Sequence, residues 1–164
     1  MSTRDMTATR EPERPVATAS GFVVHARSGV LLTERRTQIF DATERISAYV
    51  RRCGVREGLI HVTSMHTTCS VFINEFQDAL AEDILDCLER LVAREHYYKH
   101  NDPKLSDCDR FNADSHLRSM VLGHSITVQV RHGDLMLGQW QRILIAELDG
   151  PRERTIAVHL QGIA

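Results

Sequence analysis

The pattern of apolar and polar positions predicts four short strands in the first half of the chain. Two apolar runs, Phe22–His25 and Val30–Thr33, flank Ser28-Gly29, a dipeptide typical of a turn. Two further runs, Leu59–Met65 and Thr68–Asn74, are rich in Val, Ile, Thr and Phe, which favour strands over helices.

Three segments have the spacing of a helix that buries one face. The clearest is Ala79–Leu91, in which apolar residues recur every three or four positions: Leu80, Ile84, Leu88 and Leu91. A second helix is predicted to follow the capping residue Asp41 and to end at Gly54, because glycine tolerates a left-handed backbone. The third is Asn112–Val121, whose apolar side chains are expected to face inward: Leu117, Met120 and Val121.

The last third of the chain is almost entirely strand. Four apolar stretches are separated by residues typical of turns: Ser125–Val130, Leu135–Leu137, Gln139–Leu148 and Arg154–Leu160. Tyr97–Phe111 has few apolar residues and predicts a long loop, and long loops in small domains are often functional. The predicted fold class is α+β, a compact domain with a largely antiparallel β-sandwich and two to three helices.

Length and composition fit one small domain. The chain has 164 residues and a net charge of −2, so neither nucleic acid nor a membrane is expected as a partner. No apolar run could span a bilayer and the cysteines are scattered, which favours a cytoplasmic protein. Residues 1–20, rich in Thr, Arg, Glu and Pro, predict a disordered extension before a single domain over residues 21–164. The Arg35-Arg36 pair is interpreted as solvated charge.

Nine histidines in a chain of this length raise the hypothesis of a metal site. Imidazoles from separate segments can converge on one divalent ion and leave a position open for water or substrate. His66, His100 and His116 are the candidate ligands, with zinc or magnesium as the ion and no organic cofactor expected. Their spacing matches no compact ligand motif, and the alternative is that each is a surface or hydrogen-bonded residue.

Other polar residues suggest acid–base chemistry and phosphate binding. Glu75 is a candidate base or magnesium ligand, although a carboxylate beside a helix start also serves simply to stabilise the helix. The candidates for substrate or phosphate binding are hydroxyl, amide and guanidinium groups: Thr67, Thr68, Asn74, Asn112, Arg118 and Arg152. The alternative for these residues is strand propensity and surface charge.

Two further residues receive a structural interpretation. Trp140, the sole tryptophan, is expected to anchor the core rather than to stack on a substrate. Cys69 lies in an apolar strand and is interpreted as a small buried hydrophobe. A nucleophilic Cys69 is kept as the alternative because His66 is three positions away.

Several short motifs follow one another in a specific order along the chain. They are His66-Thr67-Thr68 with Asn74-Glu75, Tyr98-Lys99-His100, Asn112–Leu117 with Leu122–Ser125, and Gly138–Gln141 with Asp149–Arg152. Taken together, the set resembles the YjbQ-like family, whose members are often described as secondary thiamine-phosphate synthases. The resemblance covers about residues 21 to 164.

This resemblance implies a compact α+β domain with a β-sandwich core that assembles as a homotrimer. It implies an active site around the histidines, with His66, His116 and Glu75 as catalytic residues. The implied activity is that of a transferase, which joins a pyrimidine methyl pyrophosphate to a thiazole phosphate and releases pyrophosphate. A small phosphorylated metabolite is therefore the expected ligand, and the word "secondary" signals a side activity.

Two alternatives to this activity stay open. The first is a metal-dependent hydrolase of a small phosphorylated metabolite, in which the same ligands would activate a water molecule. The second is a non-catalytic trimer that binds a small ligand or a metal. This second alternative predicts stabilisation by the ligand without turnover.

Overall fold

The computed structural model describes residues 17–19 and 21–164, with side chains from residue 21 onward. Apart from the short strand at 17–19, the predicted extension over residues 1–20 lies outside the described residues. The strands and helices are β1 (Ala17–Ala19), β2 (Phe22–Leu32), β3 (Gln38–Asp41), α1 (Thr43–Cys53), β4 (Glu57–Ser64), β5 (Cys69–Asn74), α2 (Asp78–Leu91), a 3₁₀ helix (Lys99–Asn101), α3 (Ala113–Leu122), β6 (Ser125–Arg131), β7 (Asp134–Leu135), β8 (Arg142–Glu147) and β9 (Glu153–Ile163).

The α+β fold class is confirmed. The strands form a six-stranded sheet in the order β1-β2-β9-β4-β6-β7 and a three-stranded sheet in the order β3-β8-β5. Each neighbouring pair of strands is antiparallel. The last strand, β9, therefore lies in the middle of the larger sheet, between β2 and β4.

The main hydrophobic core lies between the two sheets. Ile60, Val62 and Leu160 extend into it from the larger sheet and are fully buried. Strand β8 is buried on both faces: Ile143 and Ile145 join this core, while the alternate residues of β8 pack on α2 in a second cluster. This double burial explains the uninterrupted apolar run in β8, because neither face of the strand contacts water.

Helix α2 matches its sequence prediction in position. It begins where Gln77 caps it, since the side-chain oxygen of Gln77 accepts a hydrogen bond from the Leu80 N–H at 2.9 Å. Its one fully buried side chain is Leu88, whereas Leu91 is 66% exposed. Within the described residues, none of the helices is long and apolar enough to cross a membrane.

The prediction of two strands around Ser28-Gly29 is wrong. Residues Phe22–Leu32 form one strand that pairs with β9 along its whole length. The turn signal is overridden because Ser28 and Gly29 each have a partner on β9, which holds the backbone extended. Helix α1 does end at Gly54, which has a φ of 73°, as predicted.

The predicted orientation of α3 is also wrong. Leu117, Met120 and Val121 are exposed, whereas the polar residues Asp114, Ser115 and Ser119 are buried. The hydroxyl group of a serine can donate a hydrogen bond. The Ser115 hydroxyl donates to the Leu148 carbonyl and the Ser119 hydroxyl donates to the Cys69 carbonyl. Helix α3 therefore presents donors to carbonyls that lie inside the protein, where an unpaired carbonyl would be costly.

Trp140 is not a core anchor. Its side chain is 66% exposed in the connection between β7 and β8. The turn that carries it is closed by the Gln141 N–H, which donates to the Gly138 carbonyl at 3.0 Å. The hydrophobicity of tryptophan is thus outweighed here by its position on a tight surface turn.

A glycine pair at the end of the larger sheet makes a testable prediction about this fold. Gly58 and Gly162 are cross-strand partners, and a Cβ added at Gly162 would lie 2.2 Å from the Glu57 carbonyl oxygen. We expect Gly162→Ala to lower the free energy of unfolding by about 1–3 kcal/mol or more, because the backbone of β4 or β9 must shift to make room for the added Cβ. Chemical denaturation would measure this change.

The matched control is Gly138→Ala. There the three atoms nearest to an added Cβ, the first at 3.3 Å, all belong to the flexible side chain of Gln141. Equal stability of the two alanine variants would contradict the close approach of β4 and β9.

Candidate functional site

A buried ion pair lies where the two sheets meet. Glu147 on β8 and Arg154 on β9 are both at most 1% exposed. The Arg154 Nε donates to Glu147 Oε2 at 2.6 Å, and its terminal NH2 group donates to the other carboxylate oxygen. The pair is fully hydrogen-bonded, because Thr33 donates to Glu147 and Arg154 also donates to Thr68 Oγ1 at 3.0 Å.

Two residues further along the chain, Asp149 gathers cationic side chains. The backbone N–H of Asp149 donates to Glu147 Oε1 at 2.7 Å, which fixes its position. Its carboxylate is 1% exposed and pairs with Arg36 and Arg110 at 3.1 Å each, and with Arg152 at 3.5 Å. The three arginine side chains are 30 to 46% exposed, so one end of this cluster faces solvent.

The position of Arg36 depends on a close backbone contact. The Gly150 N–H donates to the Arg36 carbonyl at 2.9 Å, and a Cβ on Gly150 would lie 2.3 Å from the Arg35 carbonyl oxygen. Only glycine allows the segment after β2 to approach the segment after β8 so closely. The interpretation of Arg36 as solvated charge is therefore wrong, since it pairs with both Asp149 and Asp114.

The long loop before α3 places two histidines together. The Ala113 N–H at the start of α3 donates to Asn101 Oδ1 at 3.0 Å, which attaches the 3₁₀ helix to α3. As a result the rings of His100 and His116 meet edge to face, with centroids 5.1 Å apart. The predicted loop Tyr97–Phe111 is therefore held against α3. Within the loop, the Tyr97 hydroxyl donates a hydrogen bond to the Asp102 carboxylate at 2.8 Å.

The electrostatic environment keeps His116 neutral. Partial burial is the main cause that lowers the pKa of His116, and the neighbouring His100 lowers it further. Asp149 opposes this shift and Arg152 adds to it, which places His116 within electrostatic reach of the arginine cluster. A neutral imidazole has one donor and one acceptor nitrogen, so His116 can both give a hydrogen bond and take a proton.

His66 is held in a single protonation state. Its Nε2 accepts a hydrogen bond from the Thr155 backbone N–H at 2.8 Å, which requires a lone pair on that nitrogen. Burial first, and then the charge of Arg154, lower the pKa of His66, with Glu147 opposing them. The proton of the neutral ring is therefore on Nδ1, where it can be donated to a ligand.

This arrangement bears on the metal hypothesis. A metal takes the lone pair of a neutral imidazole, and in His66 that lone pair is already used by Thr155. In the part of the chain that the structure describes, no three His, Cys, Asp or Glu side chains are grouped to hold a metal ion. The three-histidine set therefore does not fit a shared ion in this conformation, and zinc or magnesium binding stays a prediction.

Several predicted ligand-binding residues are engaged inside the protein. Thr68 is 3% exposed and bonds to Arg154, and Asn112 donates to Asp149 at 2.8 Å. Arg118 donates to the Val92 carbonyl at 2.9 Å and pairs with Glu89, so it joins α3 to the end of α2. These three residues hold the site together rather than face a ligand.

Asn74 and Glu75 are not near the histidines within one chain. They are exposed at the far end of β5, where Asn74 is paired with Arg142, whereas Cys69 at the other end is paired with Glu147. The two ends are five residue steps apart along the strand, roughly 16 Å. Thr67 and Arg152, in contrast, retain exposed surface near the buried ion pair.

Cys69 has the properties of a structural residue. It is fully buried, and burial raises the pKa of its thiol to about 11. The thiolate needed for nucleophilic attack is therefore scarce at neutral pH. The interpretation of Cys69 as a small buried hydrophobe is confirmed.

The sequence analysis gives no role to the charged residues that organise the site. Glu147 and Arg154 lie within predicted strands, and Asp149 opens the Asp149–Arg152 motif without a role of its own. One signal was available: Glu147, Asp149 and Arg154 are charged residues inside or beside long apolar runs, and buried charges are paired. Arg36 and Arg110 lie in loops, and no sequence pattern distinguishes them from other exposed arginines.

Comparison with known proteins identifies the family. Residues 29–163 match the family described as UPF0047 protein YjbQ-like. The chain belongs to this family. A UPF0047 protein of Methanothermobacter thermautotrophicus is 42% identical over 139 residues, which are 85% of this chain and 93% of the relative. A UPF0047 protein of Archaeoglobus fulgidus is 43% identical over 128 residues, 78% of this chain and 94% of the relative.

Solved structures of similar proteins share the fold. A YbjQ-like protein of unknown function from Sulfolobus solfataricus has a TM-score of 0.79 and 32% identity, covering 86% of this chain and 99% of that one. A hypothetical protein from Aeropyrum pernix has a TM-score of 0.77 and 37% identity, covering 84% of this chain and 98% of that one. The descriptions of these relatives name no activity.

The buried ion pair makes a prediction about stability. We expect Arg154→Met to lower the free energy of unfolding by about 3–5 kcal/mol, because Glu147 would remain as an uncompensated buried charge. Urea denaturation would measure this, with Arg131→Met, at an exposed position of β6, as the control. In the double variant Glu147→Gln/Arg154→Met the loss should be smaller than the sum of the two single losses. Additive losses would show that the two side chains do not interact.

The histidine pair makes a prediction about titration. Because His100 lowers the pKa of His116, we expect His100→Gln to raise that pKa toward the ordinary value of about 6.5. An NMR titration of the histidine ring protons would follow it, with His132→Gln, at an exposed turn, as the control. An unchanged or lower pKa in His100→Gln would exclude the proposed contact.

Proposed function

We propose that this protein is an enzyme that binds a small phosphorylated metabolite against the solvent-facing side of Arg36, Arg110 and Arg152. The observation that carries the proposal is the convergence of these three guanidinium groups on one buried carboxylate, Asp149, beside the His100–His116 pair. Guanidinium groups bind phosphate through paired hydrogen bonds, and the partial exposure of these arginines leaves donors for a ligand.

The balance of charge in this cluster favours an anion. The three arginines all pair with the carboxylate of Asp149, and Arg36 also pairs with Asp114. The carboxylate of Asp114 lies 3.8 Å from a fourth guanidinium group, that of Arg118. Four guanidinium groups against these two carboxylates and Glu89 leave an excess of one positive charge. A phosphoryl group at the exposed end would neutralise this excess without displacing the buried pairs.

The reaction proposed is the one that the resemblance implies, in which a pyrimidine methyl pyrophosphate is joined to a thiazole phosphate. The bond between the methylene carbon and pyrophosphate breaks, a bond from that carbon to the thiazole nitrogen forms, and pyrophosphate leaves. Negative charge develops on the departing pyrophosphate, and preorganised cations stabilise such a transition state. The arginine cluster supplies these cations. His116 supplies a hydrogen-bond donor to the departing group, and His66 Nδ1 supplies a second donor.

Hydrolysis of a small phosphoester is the second candidate. It is favoured by the partial burial of His116 against the His100 ring, which lowers the pKa of His116 and keeps the imidazole neutral, so that it has a lone pair to accept a proton from water. The phosphoryl group would occupy the same arginines. The two candidates therefore differ in the acceptor, which is a thiazole phosphate in one and water in the other.

Assembly as a homotrimer is part of the proposal. It is supported by the apolar residues on the outer side of α3, since Leu117, Met120 and Val121 are 37 to 69% exposed. Burial of these side chains against another subunit would be favourable. A trimer would also allow Glu75 of one subunit to lie beside the site of another. Within one chain this is not possible, because Glu75 lies at the end of β5 that is far from Glu147.

Anion binding tests the arginine cluster. We expect Arg36→Gln, Arg110→Gln and Arg152→Gln each to weaken pyrophosphate binding by about tenfold or more, since a hydrogen bond to a charged group contributes about 1.5–3 kcal/mol. Isothermal titration calorimetry with inorganic pyrophosphate would measure the dissociation constants. Arg131→Gln, on the exposed face of β6, is the control. If the three variants bind as tightly as the control, the phosphate site is not at Asp149.

Turnover tests the reaction. We expect pyrophosphate release from the two thiamine precursors, and a fall in kcat of about 100-fold or more in His116→Ala, because one donor to the transition state is lost. Circular dichroism would show that the variant is folded. Release that is equal in the wild type and the variant would remove His116 from the mechanism. Release from the pyrimidine substrate alone would favour hydrolysis over transfer.

A further inference from the structure

The outer face of the larger sheet carries two histidines side by side. Along β4 and β9 the residues Ile60, Val62 and Leu160 are fully buried in the core between the sheets. His61 and His159 alternate with these positions, so their side chains lie on the face turned away from the smaller sheet, where both keep exposed surface. The two histidines are direct cross-strand partners. Partners in this relation have Cβ atoms about 4.5–5.5 Å apart, which brings both imidazoles within reach of one point above the sheet.

Short side chains leave open space around this pair. His159 is paired on its other side with Ala26 of β2, and the next row of the sheet consists of Ser28, Ala157 and Thr63. None of these side chains is long enough to cover the imidazoles. The result is a hollow of about 340 Å³ on the outer face, bordered by the two histidines and by these four small residues.

A hydrogen bond orients the ring of His61. Its Nδ1 lies 3.0 Å from the hydroxyl oxygen of Thr127, its cross-strand partner on β6. When Nδ1 carries the proton and donates to this hydroxyl, the lone pair of the neutral ring is on Nε2. Histidines that bind metals commonly have this arrangement, in which one ring nitrogen is held by a hydrogen bond and the other binds the ion.

We propose that His61 and His159 together bind one divalent transition metal ion, of the class of Zn²⁺, Ni²⁺ and Cu²⁺, in this hollow. Neutral imidazole is a preferred ligand of these ions. The described residues that line the hollow include no carboxylate, the group on which Mg²⁺ and Ca²⁺ sites are built. Two imidazoles occupy two positions around the ion, and the open hollow leaves room for water molecules at the others.

The nearest positive charge does not oppose a cation here. Arg27 also borders the hollow, but it alternates with Ala26 and Ser28, so its side chain belongs to the other face of β2. On that face it lines a separate cavity beside α1, and its cross-strand partner Val158 packs on the core. The guanidinium group is therefore directed away from the imidazoles.

Zinc binding by the untagged protein tests the proposal. We expect His61→Gln and His159→Gln each to weaken binding of Zn²⁺ by about tenfold or more, because even the loss of a group that only orients a ligand costs about 10–100-fold in metal affinity. Isothermal titration calorimetry with zinc chloride would measure the dissociation constants. The control is the double variant His100→Gln/His116→Gln, which should bind Zn²⁺ at this site as tightly as the wild type does.

The orienting hydroxyl has a matched control of its own. We expect Thr127→Val to weaken binding of Zn²⁺ by about tenfold, whereas Thr63→Val should leave it unchanged, since the Thr63 hydroxyl lies 3.3 Å from the His124 carbonyl and borders the hollow without orienting a histidine. Equal affinity of these two valine variants would overturn the role of Thr127.

NMR spectra of the ring nitrogens test the same site without any substitution. Zinc should shift the Nε2 signal of His61 and the ring signals of His159, while Nδ1 of His61 keeps its proton. Unshifted signals of these two rings at saturating zinc would overturn the proposal. So would a zinc affinity that is equal in the wild type, His61→Gln and His159→Gln, or one that is lost only in the His100→Gln/His116→Gln control.

Discussion

The ion pair between Glu147 and Arg154 is the interaction on which the rest of the structure depends. It is the point at which the smaller sheet and the larger sheet are joined by charge rather than by apolar contact. Two buried charges are costly unless each is fully paired, so Thr33 and Thr68 must also be in place to complete their hydrogen bonds. The C-terminal end of β2 and the turn between β4 and β5 are thereby fixed relative to each other.

The candidate site follows from this buried pair. Glu147 accepts the backbone N–H of Asp149, and Asp149 in turn holds three arginines whose other ends face solvent. A buried carboxylate thus holds three cationic side chains together, and in the proposed function this order would lower the entropic cost of binding an anion. The polar inner face of α3 contributes Asn112 to the same carboxylate and places His116 beside it.

Sequence patterns predict the elements of this protein better than they predict its site. The helices α1 and α2 and most strands follow from spacing and turn residues, because those signals are local. The inverted face of α3 could not be predicted, since its buried serines serve carbonyls of Cys69 and Leu148, which are distant in sequence. Arg36 was misinterpreted for the same reason: its partners Asp114 and Asp149 are 78 and 113 residues away. Buried polar contacts are set by tertiary structure, which hydrophobic periodicity does not encode.

The central place of β9 has a consequence for the way the protein is made. This strand is synthesised after the other strands of the domain, yet it lies between β2 and β4 and carries Arg154. The larger sheet cannot close while β9 is missing, and Glu147 has no counter-charge until Arg154 arrives. Folding of the domain is therefore postponed until β9 has been synthesised, and until then the unpaired edges of β2 and β4 require protection from other nascent chains.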